Sequence, residues 1–325
     1  MIYHGKEIKI FSGNSNREMA WEIAQILGVS LGIATVGKFS DGEISVSIGE
    51  VVRGADVFVI QSTCDPVNEN LMELLIMIDA LKRASAGCVT AVMPYFGYGR
   101  QDRKAKARDP ISAKLVSNLL TSAGVDRVLT MDFHVPQIQG FFDIPVDHLE
   151  GGRELAQYFF KALPDLDSAV AVSPDAGSAN RTRKFAQYLD LPIAIVDKRR
   201  PAHNVAEIVN IIGDVKGKVC IIIDDLIDTG GTVINTANML MEYGATDVYA
   251  TCSHGVLSGN AVSQFSESCI KELVLLNTIP LPEGKKNPKF RQLSVSKLFA
   301  EAIDRIYGCR SISTLFDRRQ IRFDK

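Results

Sequence analysis

Residues 218–232 read KVCIIIDDLIDTGGT, and the reading of this stretch decides the fold. Its apolar run lacks polar alternation, as expected of a strand covered on both faces of a parallel sheet. The run ends in Asp224 and Asp225, passes Asp228, and enters a glycine-rich turn before a helical stretch at 231–243. That order puts the acids at the carboxyl end of a parallel strand, where open α/β sheets bind ligands. Backbone N–H groups of Thr229, Gly230, Gly231 and Thr232 at a helix start suit a phosphate, and the two threonine hydroxyls add donors. Acceptor carboxylates beside such a cradle suit a phosphorylated polyol. Helix capping alone needs fewer acids. No GxxxxGK[ST] and no GxGxxG occurs, so a nucleotide would bind by another device.

Similar runs recur outward in both directions: 8–11, 56–61, 89–96 and 127–133, then 169–175, 193–198, 247–253 and 272–279. Helical stretches at 16–27, 69–85, 112–123, 151–161, 178–189 and 294–307 alternate with them. The alternation predicts an α/β protein of two tandem doubly wound parallel-sheet domains. ISVSIG at 44–49 alternates instead, and reads as a half-exposed antiparallel strand. Pro145 and the Gly151–Gly152 pair mark the boundary, giving domains 1–147 and 148–325, with the last helix free to pack back on the first.

A length of 325 residues suits two domains of about 150 each. A net charge of −2 advertises neither nucleic acid nor a membrane surface. The six cysteines show no CxxC pair, which removes the usual zinc and thioredoxin spacings and fits a reduced, cytoplasmic setting. No signal peptide and no run of about 18 apolar residues is present. The stretch 70–83, NLMELLIMIDALKR, is apolar nearly all round. It reads as a central core helix or as one that also meets another subunit.

Four further motifs carry charge. GYGRQDRKAKARDP (97–110) is either a solvated basic loop or a cationic lid. His134 closes a strand two residues after Asp132, where an imidazole can hold a metal or meet a phosphate. In DKRRP (197–201), Lys198 and Arg200 share one side of an extended segment. FSDGEI (39–44) reads as a turn and no more.

The acid–glycine turn resembles the phosphoribosyl-diphosphate signature of type I phosphoribosyltransferases. FSDGEI, DVFVIQST, PYFGYGRQDRKAKARDPISAK, QIQGFFDIPVDHL, SPDAG and DKRRP, in order over roughly 8–316, are similar to class I ribose-phosphate diphosphokinase. The resemblance implies Mg²⁺-dependent transfer of the diphosphoryl group of ATP to ribose 5-phosphate, with phosphoribosyltransferase-like domains. It implies ATP contacts from Phe39, Asp41, Glu43, Arg100, Gln101 and His134, and a magnesium site at His134 and Asp175. It makes Lys198, Arg200 and Arg100 catalytic. Arg200, Asp224, Asp225, Asp228, Thr229, Gly230, Gly231 and Thr232 then bind ribose 5-phosphate. It further implies a homohexamer built from dimers, with FSDGE serving a neighbour's site, and a Ser/Thr-rich regulatory phosphate site at 307–316. Ser178 stands where the family commonly has a second glycine. Two other readings are a non-catalytic regulatory paralogue, which should have lost catalytic residues, and a single-domain phosphoribosyltransferase, which would leave FSDGE and GRQDRK unexplained.

Overall fold

The computed structural model describes residues 2–3, 6–199 and 208–316. The chain gathers into two compact units. One holds residues up to Glu150 with Thr278–Pro280 and Ser294–Phe316, and the other holds Gly151–Asn277 and Leu281–Leu293.

The first unit contains β1 (Ile2–Tyr3), β2 (Lys6–Ser12), α1 (Arg17–Leu27), β3 (Ala34–Lys38), β4 (Ile44–Ile48) and β5 (Asp56–Ile60). It continues with α2 (Val67–Arg83), β6 (Cys88–Met93), α3 (Ser112–Ala123), β7 (Arg127–Met131) and β8 (Val146–Leu149). Its sheet has the order β1-β2-β5-β6-β7-β8, parallel except for β1. Alternate residues serve opposite faces. Val57, Val59, Val89 and Ala91 join Leu74, Met77 and Ile78 of α2 and Val116 and Leu120 of α3 in one core. Phe58, Ile60, Val92 and Leu129 are as deeply buried from the other side.

The alternating stretch at 44–49 is β4, and it pairs antiparallel with β3 as a hairpin outside the main sheet. Ala34, Val36, Val46 and Ile48 lay the hairpin's apolar side on the core. Helix α2 buries its stripe as expected but is not apolar all round. The polar Asn70 and Glu73 lie among its buried residues, while the apolar Met72 is 47 % exposed.

The second unit runs α4 (Gly152–Ala162), β9 (Ala169–Ser173), α5 (Ala179–Leu189), β10 (Ile193–Arg199), β11 (Ile208–Ile212) and β12 (Val219–Ile227). Then follow α6 (Gly231–Glu242), β13 (Asp247–Gly255), α7 (Ala261–Glu267), β14 (Leu273–Leu276) and β15 (Phe290–Leu293). The sheet order is β11-β10-β9-β12-β13-β14-β15, parallel except for β11. Cys220, Ile222 and Cys252 pack toward Val233, Ala237 and Leu240 of α6 and Phe265 of α7. On the opposite face Phe159 of α4 meets Phe185 of α5 and Tyr249 of β13, each at 6.0 Å between ring centroids. The last helix, α8 (Ser296–Tyr307), belongs to the first unit. Its Ser296 hydroxyl donates to Glu22 of α1 at 2.5 Å, and the Tyr307 hydroxyl donates to the Lys6 carbonyl at 2.8 Å.

The second sheet changes direction between β9 and β12. From β9 the chain steps to β10 on one side, and from β12 it steps to β13 on the other. Loops leaving the carboxyl ends of two such strands diverge and open a crevice between them. Among the described residues no helix is long and apolar enough to cross a membrane.

Candidate active site

The crevice at β9 and β12 is lined by acids from both strands. Asp175 follows β9, and its carboxylate accepts the Ser178 N–H at 2.8 Å. Asp224 and Asp225 lie near the carboxyl end of β12; their backbones alternate with the pleat, but their carboxyl groups come within hydrogen-bonding reach of each other. Asp224 shares the face of Cys220 and Ile222, and it accepts from the Ser178 hydroxyl at 3.3 Å and from the Asp225 N–H at 2.9 Å. Asp225 shares the face of α5, where the Arg181 guanidinium approaches to 3.8 Å.

Ser178 thereby links the loop after β9 to the end of β12. Loss of water pushes the Asp224 carboxyl up to about 7, and the neighbouring Asp225 and Asp175 charges push in the same direction. Such a group is poised to accept a hydroxyl donor or to benefit from added positive charge.

Past β12 the chain turns through Asp228, Thr229 and Gly230 into α6. The Asp228 carboxylate accepts from the Ser258 hydroxyl, and its carbonyl accepts the Ser258 N–H at 3.0 Å. The loop after β13 therefore braces the turn. Gly230 has φ +84°, and a Cβ there would lie 2.7 Å from the Phe265 ring. Glycine is required both for the left-handed backbone and for that approach. Gly231 has open space where a Cβ would stand. The first-turn N–H groups of α6 have no intrahelical acceptor, as at any helix start, and no side chain caps them.

Lys198 lies near the end of β10, the strand paired with β9, with its backbone opposite Val209. Arg200 lies outside the described residues.

The remaining expected residues belong to the first unit. Phe39, Asp41 and Glu43 form the exposed tip between β3 and β4. The tip is closed by Phe39 N–H to the Glu43 carbonyl at 2.8 Å and Glu43 N–H to the Asp41 carboxylate at 3.1 Å. Arg100 and Gln101 are exposed at the start of the basic loop, and the Gln101 side chain accepts from the Ser112 hydroxyl. His134 is exposed three residues beyond β7 and adjoins this loop, since a Cβ on Gly99 would lie 3.7 Å from that of His134. Arg103, Lys104, Lys106 and Arg108 are exposed and form no ion pair with the described residues.

Ser178 stood out in the sequence only as a replacement for the family's second glycine, and Arg181 and Ser258 did not stand out at all. Ser178, Arg181 and Ser258 reach the acids only through the pairing of β9, β12 and β13, and no local spacing announces them. Among the described residues no three His, Cys, Asp or Glu side chains form a ready-made metal cage.

Comparison with known proteins gives the family. Residues 8–124 match the family model described as the N-terminal domain of ribose phosphate pyrophosphokinase. Residues 198–317 match that of the phosphoribosyl synthetase-associated domain. A ribose-phosphate pyrophosphokinase of Clostridium perfringens is 65 % identical over 97 % of this chain and 99 % of its own length. One of Bacillus subtilis is 57 % identical over 97 % and 98 %. The crystal structure of phosphoribosylpyrophosphate synthetase from Mycobacterium smegmatis superposes with a TM-score of 0.88 at 43 % identity, covering 93 % of this chain and 99 % of that one. These alignments span both units, which a single-domain phosphoribosyltransferase could not do. The chain belongs to the ribose-phosphate pyrophosphokinase family.

Proposed function

We propose that this chain transfers the β,γ-diphosphoryl group of ATP to the 1-hydroxyl of ribose 5-phosphate, giving 5-phosphoribosyl 1-diphosphate and AMP for nucleotide biosynthesis. The observation that carries this reading is the acid–glycine turn at the reversal of the second sheet, in a chain of this family. The 5-phosphate is assigned to the turn Asp228–Thr232, whose first-turn N–H groups lack intrahelical acceptors. The 2- and 3-hydroxyls are assigned to Asp224 and Asp225, because a carboxylate accepts more strongly than a neutral oxygen.

ATP is assigned to Phe39, Asp41 and Glu43, with Arg100, Gln101 and His134. The hydroxyl attacks the β-phosphorus in line, so the protein's work is positioning and charge neutralisation rather than covalent chemistry. Lys198, Arg200 and Arg100 are the cations assigned to the transferring group, where fixed charge favours the transition state over the ground state.

Mg²⁺ suits the donors present. The upward push on Asp224 reflects desolvation and like charges gathered around it. Magnesium is ordinarily held by one or two carboxylates together with substrate phosphates and water, so no closed cage is required. Asp175 and His134 would hold it, and when bound it would neutralise charge on the polyphosphate. No side chain is assigned as a general base. The family resemblance also supports a homohexamer built from dimers and a cytoplasmic setting, and both belong to the proposal.

The test is AMP release measured with ATP, Mg²⁺ and ribose 5-phosphate, omitting each in turn. Dependence on all three is expected. AMP formation that ignores ribose 5-phosphate would contradict the assignment.

A further inference from the structure

We propose that Glu73 is a positioning residue that holds the β3–β4 hairpin, and with it the segment Phe39–Glu43, in the pose that meets ATP. The proposal rests on the reading of that segment as an ATP contact.

Glu73 is only 5 % exposed, and the other inward residues of its helix are apolar apart from Asn70. Among the described residues it forms no ion pair. A buried carboxylate without a cation is unfavourable unless N–H donors satisfy it, and an apolar side chain would serve the core better. Three N–H donors do satisfy it. The Asn14 backbone donates at 3.1 Å, the Asn14 side-chain amide at 2.8 Å and the Gln61 amide at 2.8 Å. The charge is therefore spent on fixing Asn14 and Gln61.

Asn14 passes the constraint on. Its amide also donates to the Val36 carbonyl of β3 at 3.2 Å, so one side chain joins α2 to the hairpin. Gln61 cannot turn over, because its oxygen accepts from the Ser15 N–H at 3.0 Å and the Ser15 hydroxyl at 2.7 Å. The loop at 13–15 is pressed so closely on Gln61 that a Cβ at Gly13 would fall 2.4 Å from its amide oxygen.

Two neighbours of Glu73 on α2 act on the same segments. Glu69 pairs with Lys38, the residue before Phe39, and Asn68 accepts from the Tyr98 hydroxyl at the root of the basic loop. The turns 68–73 of α2 thus touch residues that flank both segments assigned to ATP. The Lys38–Glu69 pair is exposed and adds little stability. The Glu73–Asn14 link is part-buried and anchored on a buried carboxylate, which makes it the stronger constraint.

Ala34, Val36, Val46 and Ile48 hold the body of the hairpin on the core, whereas its tip is open to solvent, with Phe39 59 % exposed, so the pose of the tip depends on how the strand leading to it is fixed. Misplacing a binding group by about 1 Å can reduce a rate by about 10²-fold.

The experiment compares Glu73→Gln, Asn14→Ala and Phe39→Ala with the wild-type enzyme. It measures KM for each substrate, kcat, the melting temperature, and hydrogen exchange of peptides covering 34–48. Glu73→Gln should raise KM for ATP by roughly tenfold, leave KM for ribose 5-phosphate within about twofold, and speed exchange in 34–48. Phe39→Ala should raise KM for ATP without the change in exchange. If Phe39→Ala weakens ATP but Glu73→Gln and Asn14→Ala leave ATP and exchange at wild-type values, the positioning role is wrong and the ATP segment stands. If Phe39→Ala leaves ATP unaffected, the ATP segment itself is wrong. Should Glu73→Gln not fold, Asn14→Ala keeps the Gln61–Glu73 bond and decides by the same measurements.

Discussion

Alanine at Gly230 and alanine at Gly231 should have opposite consequences, although the two glycines are adjacent. At Gly230 the new Cβ would meet Phe265 Cε2 at 2.7 Å and Cδ2 at 3.3 Å, with the backbone at φ +84°. Phe265 is fully buried and packed edge-on against Phe290 at 5.7 Å, so its ring has nowhere to retreat. The left-handed conformation costs about 1–2 kcal/mol for a residue with a Cβ. Overpacking a core adds about 1–3 kcal/mol. Together they lower the melting temperature by about 6–15 °C at about 3 °C per kcal/mol.

At Gly231 nothing lies within 4 Å and the backbone is not left-handed. Alanine there should leave the melting temperature unchanged or raise it by the helix preference of up to about 1 kcal/mol. Its methyl group would occupy the space assigned to the 5-phosphate, and KM for ribose 5-phosphate should rise roughly tenfold or more as charge-assisted hydrogen bonds are lost. Thermal melts and initial rates with varied ribose 5-phosphate, at saturating ATP and Mg²⁺, read both effects. A wild-type KM for Gly231→Ala would remove the phosphate from this turn, and a wild-type melting temperature for Gly230→Ala would refute the packing argument.

Three further outcomes are expected. The folded-state carboxyl of Asp224 is pushed up to about 7 from 3.8, so as pH rises from about 4 to 7 the unfolded chain releases this proton first and the fold loses stability. Asp224→Asn should therefore melt higher than wild type near pH 8 and equally near pH 4, without ligands; an offset independent of pH would contradict the burial argument. Lys198→Ala should reduce kcat far more than it raises KM for ribose 5-phosphate, since its charge is assigned to the transferring group, and turnover within about threefold of wild type would exclude it. Mixing Phe39→Ala and Lys198→Ala subunits should restore up to about a quarter of wild-type activity if the hairpin serves a neighbouring subunit, and no recovery, with exchange verified by mass spectrometry, would place Phe39 elsewhere.

What the sequence made legible was what the chain encodes locally. KVCIIIDD announced a central strand because burial on both faces leaves no polar alternation, and DTGGT announced a helix start because the turn chemistry lies in consecutive residues. Edge strands were harder. Ala34–Lys38 and Phe290–Leu293 are half-exposed and mixed in composition, so neither period stands out. Contacts across the fold could not be read at all. Glu73 and Asn14 are 59 positions apart, and Ser258 reaches Asp228 only because β13 pairs with β12. Glu73 was hidden by its surroundings, since a lone acid within an apolar helix reads as the solvent side. The acids and the glycine turn of the candidate site were legible as a motif. Their bracing by Ser178, Arg181 and Ser258 depends on strand order, which no single segment specifies.

The central claim is that two phosphoryl groups move together, with attack at the β-phosphorus. Phosphorus NMR of the protein with ATP, Mg²⁺ and ribose 5-phosphate tests it most directly. The account predicts AMP and a sugar diphosphate ester appearing in equal amounts, the two transferred phosphorus atoms still coupled to each other. ADP appearing with a sugar that gains a single phosphoryl group would contradict it.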